Sequence, residues 1–332
     1  MSEPSSLRAD SLISILPEIS TSELMRGLIP PREFETSRFE NYIPDPNFPS
    51  QAAALELAKQ FVAPSSRLKR KPPETNPGIY LDGGFGVGKT HILASIWHGF
   101  SGKKAFGSFL DFTSLVGYLG FQQALTQLGE NKLICIDEFE LDDPGDTMIM
   151  SRLLKELSQK GVRFAATSNT PPNALGAGRF AASDFKREIQ GLGERFQMVS
   201  IDGDDYRHRD SETHAESMTE SALQGWVVQQ DKGYSDSFTD LLKHLAALHP
   251  TKYRALVSKA TGVGITDFHQ LQDQAQALRF VGFIDRLYEA KVPLRTSGDV
   301  PATMVFSETM KLGGYRKKYL RAISRIGALS EL

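Results

Sequence analysis

Cysteine is nearly absent: Cys135 is the single one among 332 residues. That excludes an intramolecular disulfide framework and any zinc site with more than one thiolate, and it fits a reducing cytoplasm. Net charge is also small, 40 acidic residues against 38 basic ones giving -2. No global field therefore draws the chain toward nucleic acid or an anionic membrane, and any such contact must be local. Long apolar runs are missing too, since no stretch approaches the roughly eighteen residues of a membrane span. Met1 to Ile13 is polar and carries acidic residues, where an export signal needs a basic start and an apolar run. The expectation is a cytoplasmic protein with no transmembrane segment. Internal repeats and low-complexity tracts are absent. What remains is an ordinary globular composition, 40% hydrophobic and 23% charged, with room for one large or two modest domains.

Residues 1–33 are rich in Ser, Glu and Pro and read as a mobile N-terminal arm with one short helix near Thr21 to Leu28. Phe34 to Pro49 alternates aromatics with prolines, and Ser50 offers an N-cap for a helix over Gln51 to Val62. Ile79 to Leu81 is a short apolar strand, followed by a glycine cluster and a helix over Thr90 to Trp97. Further apolar runs, Lys132 to Ile136, Val162 to Thr167 and Gln197 to Ile201, alternate with helical segments such as Met148 to Gln159. Strands alternating with helices predict a parallel sheet covered on both faces, an α/β domain over 34–205. Beyond it no comparable strand series is evident. Phe238 to Leu248, Leu271 to Ala290 and Tyr315 to Leu329 place apolar residues at intervals of three and four. The region 206–332 therefore reads as a second, mostly helical domain, entered through an exposed linker or insertion over Arg207 to Gly225.

The strongest motif is Gly83-Gly84-Phe85-Gly86-Val87-Gly88-Lys89-Thr90, which has the Walker A spacing and lies between a strand and a helix. Its glycines let backbone amides turn in around the phosphates of a nucleotide such as ATP, and the helix N-terminus adds partial positive charge. Lys89 then reaches the outer phosphate oxygens, and the Thr90 hydroxyl is a ligand for Mg²⁺. A motor of this type also needs an acidic group on a nearby strand and a base to orient water. Leu133-Ile134-Cys135-Ile136-Asp137-Glu138 supplies both, with Asp137 holding Mg²⁺ through water and Glu138 polarising the attacking water. Asn169, after the run Val162 to Thr167, is the candidate sensor of the terminal phosphate; a turn residue ahead of Pro171 and Pro172 is its plainer role. Cys135 reads as a packed small hydrophobe.

Through these and further motifs the chain resembles the ZapE family of AAA+ ATPases. The likeness rests on Asn41-Tyr42-Ile43-Pro44-Asp45-Pro46 before Pro49-Ser50-Gln51, the Walker A loop, and Ile136-Asp137-Glu138-Phe139 running into Leu141-Asp142-Asp143. It continues through Ala166-Thr167-Ser168-Asn169-Thr170-Pro171-Pro172, Asp205-Tyr206-Arg207, Arg279-Phe280, Ile284-Asp285-Arg286-Leu287-Tyr288 and Ser324-Arg325-Ile326. The chain departs from the family at Lys104 to Phe112, where members commonly carry a His-rich aromatic segment, and between Tyr206 and Arg279, where many carry a β-rich insertion. The resemblance implies an AAA+ P-loop domain followed by a helical lid. It implies a ring-forming homo-oligomer in which a neighbour's arginine completes the ATP site. Arg195, in Gly193-Glu194-Arg195-Phe196, occupies the general AAA+ finger position, and Arg179, three residues after Gly176, better matches a GxxR element of the family. For both, a surface ion pair is the alternative role. Arg279 resembles the lid sensor arginine, and Tyr42 to Gln51 would pack against the adenine edge or simply strap the core.

The function so implied is Mg²⁺-dependent ATP hydrolysis that remodels a protein partner. The division polymer FtsZ is the partner the resemblance implies, with recruitment to the division site. The alternative is an initiator or helicase-loader ATPase acting on nucleic acid, with Lys311, Arg316, Lys317, Lys318, Arg321 and Arg325 as its basic segment. A nucleotide-gated scaffold with negligible turnover is a third class.

Overall fold

A computed structural model of the chain describes residues 9–63, 78–84, 86–140, 144–170, 196–204 and 215–332. The chain divides into two compact units, one formed by residues 21–211 and the other by residues 1–20 together with 212–332.

The first unit is built on a five-stranded sheet of β1 (Gly78–Gly83), β2 (Lys104–Ser108), β3 (Leu133–Asp137), β4 (Arg163–Ser168) and β5 (Phe196–Ile201). The strands are all parallel and lie in the order β2-β3-β4-β1-β5, which is the predicted α/β sheet. Alternation sorts their side chains onto two faces. Ile79 and Leu81, Leu133 and Cys135, Ala165, Val199 and Ile201 share one face and form a core with Ala54 and Ala58 of the helix Pro49–Val62. Ile92, Leu93 and Ile96 of the helix Lys89–Gly99 complete that core. The opposite face carries an aromatic cluster in which Tyr80, Phe109, Phe139 and Phe196 meet edge to face, their centroids 5.2 to 6.1 Å apart. Strand β2 and the start of the helix Phe109–Leu119 occupy Lys104 to Phe112, the segment that departs from the family pattern, and a second helix, Phe121–Leu128, follows. Ser108 and Asp111 close a capping box where the strand turns into the first of these helices.

The second unit is rich in helix, as expected, with Phe238–Ala247, Gln274–Ala290 and Arg316–Glu331 matching the three periodic segments. Its centre is nevertheless a three-stranded parallel sheet of β6 (Gly233–Ser237), β7 (Gly262–Phe268) and β8 (Leu294–Gly298), in that order. The expectation of no strand series there is corrected. These strands carry glycine, serine, threonine and aspartate where the strands of the first unit carry apolar runs, so hydropathy does not mark them. Within Arg207 to Gly225, read as linker, the helix Glu220–Val227 begins with Thr219 as its cap.

The segment read as an arm, residues 1–33, is divided between the units. Asp10 forms a parallel bridge with Tyr234, its N–H donating to the Gly233 carbonyl (3.1 Å) and its carbonyl accepting from the Ser235 N–H (2.8 Å). The Ser11 hydroxyl and the Leu12 N–H (2.8 Å) both donate to the Asp236 carboxylate. Leu12 is fully buried in the core of the second unit. Leu24 and Leu28, by contrast, are buried in the first unit, where the Leu28 carbonyl accepts from the Phe106 N–H at 2.9 Å. The Ser, Glu and Pro content suggested mobility, but a few apolar residues are enough to anchor the segment when pockets and an open strand edge receive them.

Candidate functional site

Strand β1 ends at Gly83, where φ is 155° and a Cβ would stand 2.2 Å from the Ile201 carbonyl oxygen, so only glycine fits against β5. The chain then turns through the phosphate loop into the helix Lys89–Gly99. Gly88, the N-cap, is left-handed (φ 83°), and a Cβ there would lie 2.6 Å from the Tyr42 ring. No acidic residue lies in the helix's first turn to compete for an anion. Lys89 is 8% exposed, and its ammonium donates to the carbonyls of Gly83 (2.9 Å) and Gly84. Phe85 lies outside the described residues.

The loop is held from behind. The Tyr42 hydroxyl donates to the Val87 carbonyl (3.0 Å), Gln51 donates to the Asp202 carbonyl (3.0 Å), and the Ser50 hydroxyl accepts from the Asp202 N–H (2.9 Å). The segment from Tyr42 to Gln51 thus joins the phosphate loop to the end of β5.

Strand β4 lies between β1 and β3, and the register sets Cys135 beside Ala165. Two residues on, Asp137 and Thr167 face the same side of the sheet, where the helix Lys89–Gly99 begins. Thr90 Oγ1 lies 3.2 Å from both Asp137 carboxylate oxygens, and Thr167 Oγ1 donates to Asp137 Oδ1. Burial and the neighbouring Glu138 charge push the Asp137 carboxyl up to about 6, against the pull of the two hydroxyl donors and the Glu138 amide. A half-buried carboxylate and a hydroxyl converging beside a phosphate loop are hard oxygen donors of the kind Mg²⁺ takes, so the residues present fit that ion.

Glu138 is left-handed (φ 52°), a conformation that costs a residue with a side chain roughly 1–2 kcal/mol. The backbone around it explains how this is held. Its N–H donates to Thr167 Oγ1 (3.1 Å), and the Phe139 N–H donates to the Thr167 carbonyl (2.7 Å). The twist moves Phe139 off the face that alternation would give it and into the aromatic cluster, where it is fully buried.

At the neighbouring strand end, Asn169 Nδ2 donates to Glu140 Oε1 (3.2 Å). The Thr170 N–H donates to Ser168 Oγ (3.0 Å), and the Tyr80 hydroxyl donates to the Thr170 carbonyl (3.0 Å). Gly83, Gly84, Gly86, Val87, Gly88, Lys89, Thr90, Asp137, Glu138 and Asn169 therefore belong to one unit, and among them Thr90 and Asp137 are in direct contact. Arg179 and Arg195 lie outside the described residues, as do Leu141 to Asp143, Pro171, Pro172, Tyr206 and Arg207. Arg279 is half-buried on the helix Gln274–Ala290 of the second unit. Thr167 was not singled out by sequence reasoning; the strand register that sets it beside Asp137 is the signal that finds it. Cys135 is fully buried, and desolvation raises its thiol well above the usual range, as suits a packing residue.

The basic C-terminal segment is largely engaged within the unit. Arg321 (3.0 Å) and Arg325 both pair with Asp285, Lys311 pairs with Glu308 (2.5 Å), and the Lys318 ammonium sits 5.5 Å from the Tyr315 ring centroid. Partial burial of Asp285 opposes its charge, yet Arg325 and Arg321 outweigh it and hold its carboxyl below the usual carboxylate range. Among the described residues no helix is long and apolar enough to cross a membrane.

Known proteins similar to this chain include sequence relatives and solved structures. Cell division protein ZapE of Escherichia coli (strain K12) is 25% identical over 284 residues, 72% of this chain and 75% of that protein. Lactation elevated protein 1 homolog B of Danio rerio is 25% identical over 302 residues, covering 74% of this chain and 59% of its own length. Among solved structures, DnaI aligns with 55% of this chain and 98% of its own at 20% identity, with a TM-score of 0.45. The AFG1-like ATPase model matches residues 19–231 and 219–331. All of the first unit, with the phosphate loop and the acidic strand end, and residues 212–331 of the second fall within those limits, and the chain belongs to the AFG1-like ATPase family.

Proposed function

We propose that this protein is a Mg²⁺-dependent ATPase that converts ATP and water to ADP and phosphate and works as a ring-forming homo-oligomer to remodel a protein partner. The observation that carries the reading is the convergence of Thr90 and Asp137, 3.2 Å apart at the mouth of the phosphate loop. Bound Mg²⁺ would neutralise charge developing on the phosphate oxygens. Thr90 and Asp137 would hold it. Lys89 leaves the Gly83 and Gly84 carbonyls to meet the outer phosphates, while loop amides and the helix N-terminus cradle the rest. Glu138 accepts the proton of the attacking water, and Asn169 orients that water or the terminal phosphate. Arg195 or Arg179 reaches a neighbouring subunit's nucleotide, and Arg279 is the lid sensor. The family relation to ZapE makes a division polymer, FtsZ, the first partner to try, in the cytoplasm and at the division site.

Phosphate release by the purified protein, with Lys89→Ala and Glu138→Gln as controls, tests the chemistry. Lys89→Ala should lose ATP binding, whereas Glu138→Gln should bind ATP and hydrolyse on the order of a hundredfold more slowly. Wild-type hydrolysis that survives Lys89→Ala refutes the site, and ATP binding without phosphate release leaves a nucleotide-gated scaffold. Capture of partners on the Glu138→Gln protein, with purified FtsZ polymers and with DNA across a salt series, tests the partner class. Steeply salt-dependent DNA affinity would favour the initiator or helicase-loader reading.

A further inference from the structure

Thr167 does three things at once. Its hydroxyl proton goes to Asp137 Oδ1, its hydroxyl oxygen accepts the Glu138 N–H at 3.1 Å, and its carbonyl accepts the Phe139 N–H at 2.7 Å. The side chain is 2% exposed and β-branched within a strand, so its χ1 is restricted and the direction of the hydroxyl is set. Those bonds bracket Glu138, which no glycine or proline predisposes to its left-handed backbone. A Glu138 with ordinary strand geometry would send its carboxylate to the aromatic face of the sheet and Phe139 toward the phosphate loop.

We propose that Thr167 is a positioning residue for hydrolysis, fixing the Asp137 carboxylate through its proton and aiming the Glu138 carboxylate through the backbone turn it holds. The inference rests on the ATPase reading for its consequence and on strand geometry for its cause. A serine keeps the donor and acceptor. A valine keeps the shape and loses both.

The test compares Thr167→Val and Thr167→Ser in the full chain by single-turnover hydrolysis, by affinity for a fluorescent ATP analogue, and by crystal structures. Displacing a base by about an ångström lowers turnover by up to about a hundredfold, so Thr167→Val should lose tenfold to a hundredfold in rate. Its ATP affinity should stay within about twofold, because Lys89 and the loop amides are unchanged. Thr167→Ser should recover most of the rate. In the Thr167→Val crystal the Glu138 backbone should leave the left-handed region. A folded Thr167→Val protein at wild-type rate, or one that retains the left-handed Glu138, overturns the proposal, and so does a Thr167→Ser protein as slow as Thr167→Val. If valine prevents folding, Thr167→Ala, which also removes the hydroxyl, takes its place in the same rate, affinity and Glu138 backbone comparisons. If the wild-type protein releases no phosphate, the ATPase reading fails while the Glu138 geometry in the variant crystals still tests the inference.

Discussion

Replacing Asp285 by asparagine should unfold the second unit early, and the size of the effect follows from its surroundings. The Asp285 side chain is 14% exposed, and its partners Arg321 and Arg325 are 20% and 21% exposed. Removing one member of a buried pair costs roughly 3–5 kcal/mol because the partner's charge remains buried. Here two guanidinium groups keep some water and asparagine can still accept one hydrogen bond, which places the loss at the lower end, about 3 kcal/mol. For a unit of this size each kcal/mol moves Tm by roughly 4 °C, so the expected drop is about 12 °C. The chain has two tryptophans, Trp97 in the first unit and Trp226 in the second. Thermal unfolding followed by fluorescence in a Trp97→Phe background therefore reports the second unit through Trp226. The pH dependence has a definite sign. The folded pKa of Asp285 is depressed, so its stabilisation is fully present above the unfolded carboxylate value and is lost as pH falls through the folded value. The gap between wild type and Asp285→Asn should thus close in acid. A shift under about 3 °C near neutral pH, or a gap that persists in strong acid, would refute the ion-pair account.

Three further outcomes can be measured directly. Gly88→Ala combines a left-handed backbone with a Cβ 2.6 Å from Tyr42 and should weaken ATP binding about tenfold or more through strain of roughly 1–3 kcal/mol; equilibrium titration with unchanged affinity would show that the loop relaxes freely. Cys135 should resist thiol reagents in the native protein and react only at the rate of unfolding, since it is buried with a raised pKa; rapid labelling would place it elsewhere. Mixing inactive Arg195→Ala with inactive Lys89→Ala subunits should restore partial hydrolysis if Arg195 acts in trans, and the same mixture with Arg179→Ala tests the rival arginine. Full activity of both arginine single mutants as isolated monomers would rule out a shared site.

Strands β1, β3 and β4 were legible because they are apolar runs that end in chemistry, β1 in the glycine loop, β3 in Asp137 and Glu138, β4 in Thr167 to Asn169, whereas β2, with its lysine, glycine and serine, was not read as a strand. Strands β6 to β8 were not, since Gly233-Tyr234-Ser235-Asp236-Ser237 alternates burial without alternating hydropathy in an obvious way. The twist at Glu138 leaves no mark in the residue itself, because its cause is a hydroxyl on another strand. Two motif pieces distant in sequence, around Asp285 and around Arg325, read as unconnected signatures; the fold joins them through one carboxylate and two guanidinium groups.

The union of Leu12 with Asp236 spans 224 residues, so the second unit is assembled from two segments that flank the first unit in the sequence. During synthesis the residues of the first unit, 21–211, emerge as one continuous stretch that can close its sheet while the opening residues still lack a place to bind. Their receiving edge, β6, is made only afterwards. The added closure entropy is small, because it grows with the logarithm of loop length, but the search is slow. A tag or truncation ahead of Leu12 should therefore delay completion of the distal unit and leave assembly of the phosphate loop on schedule.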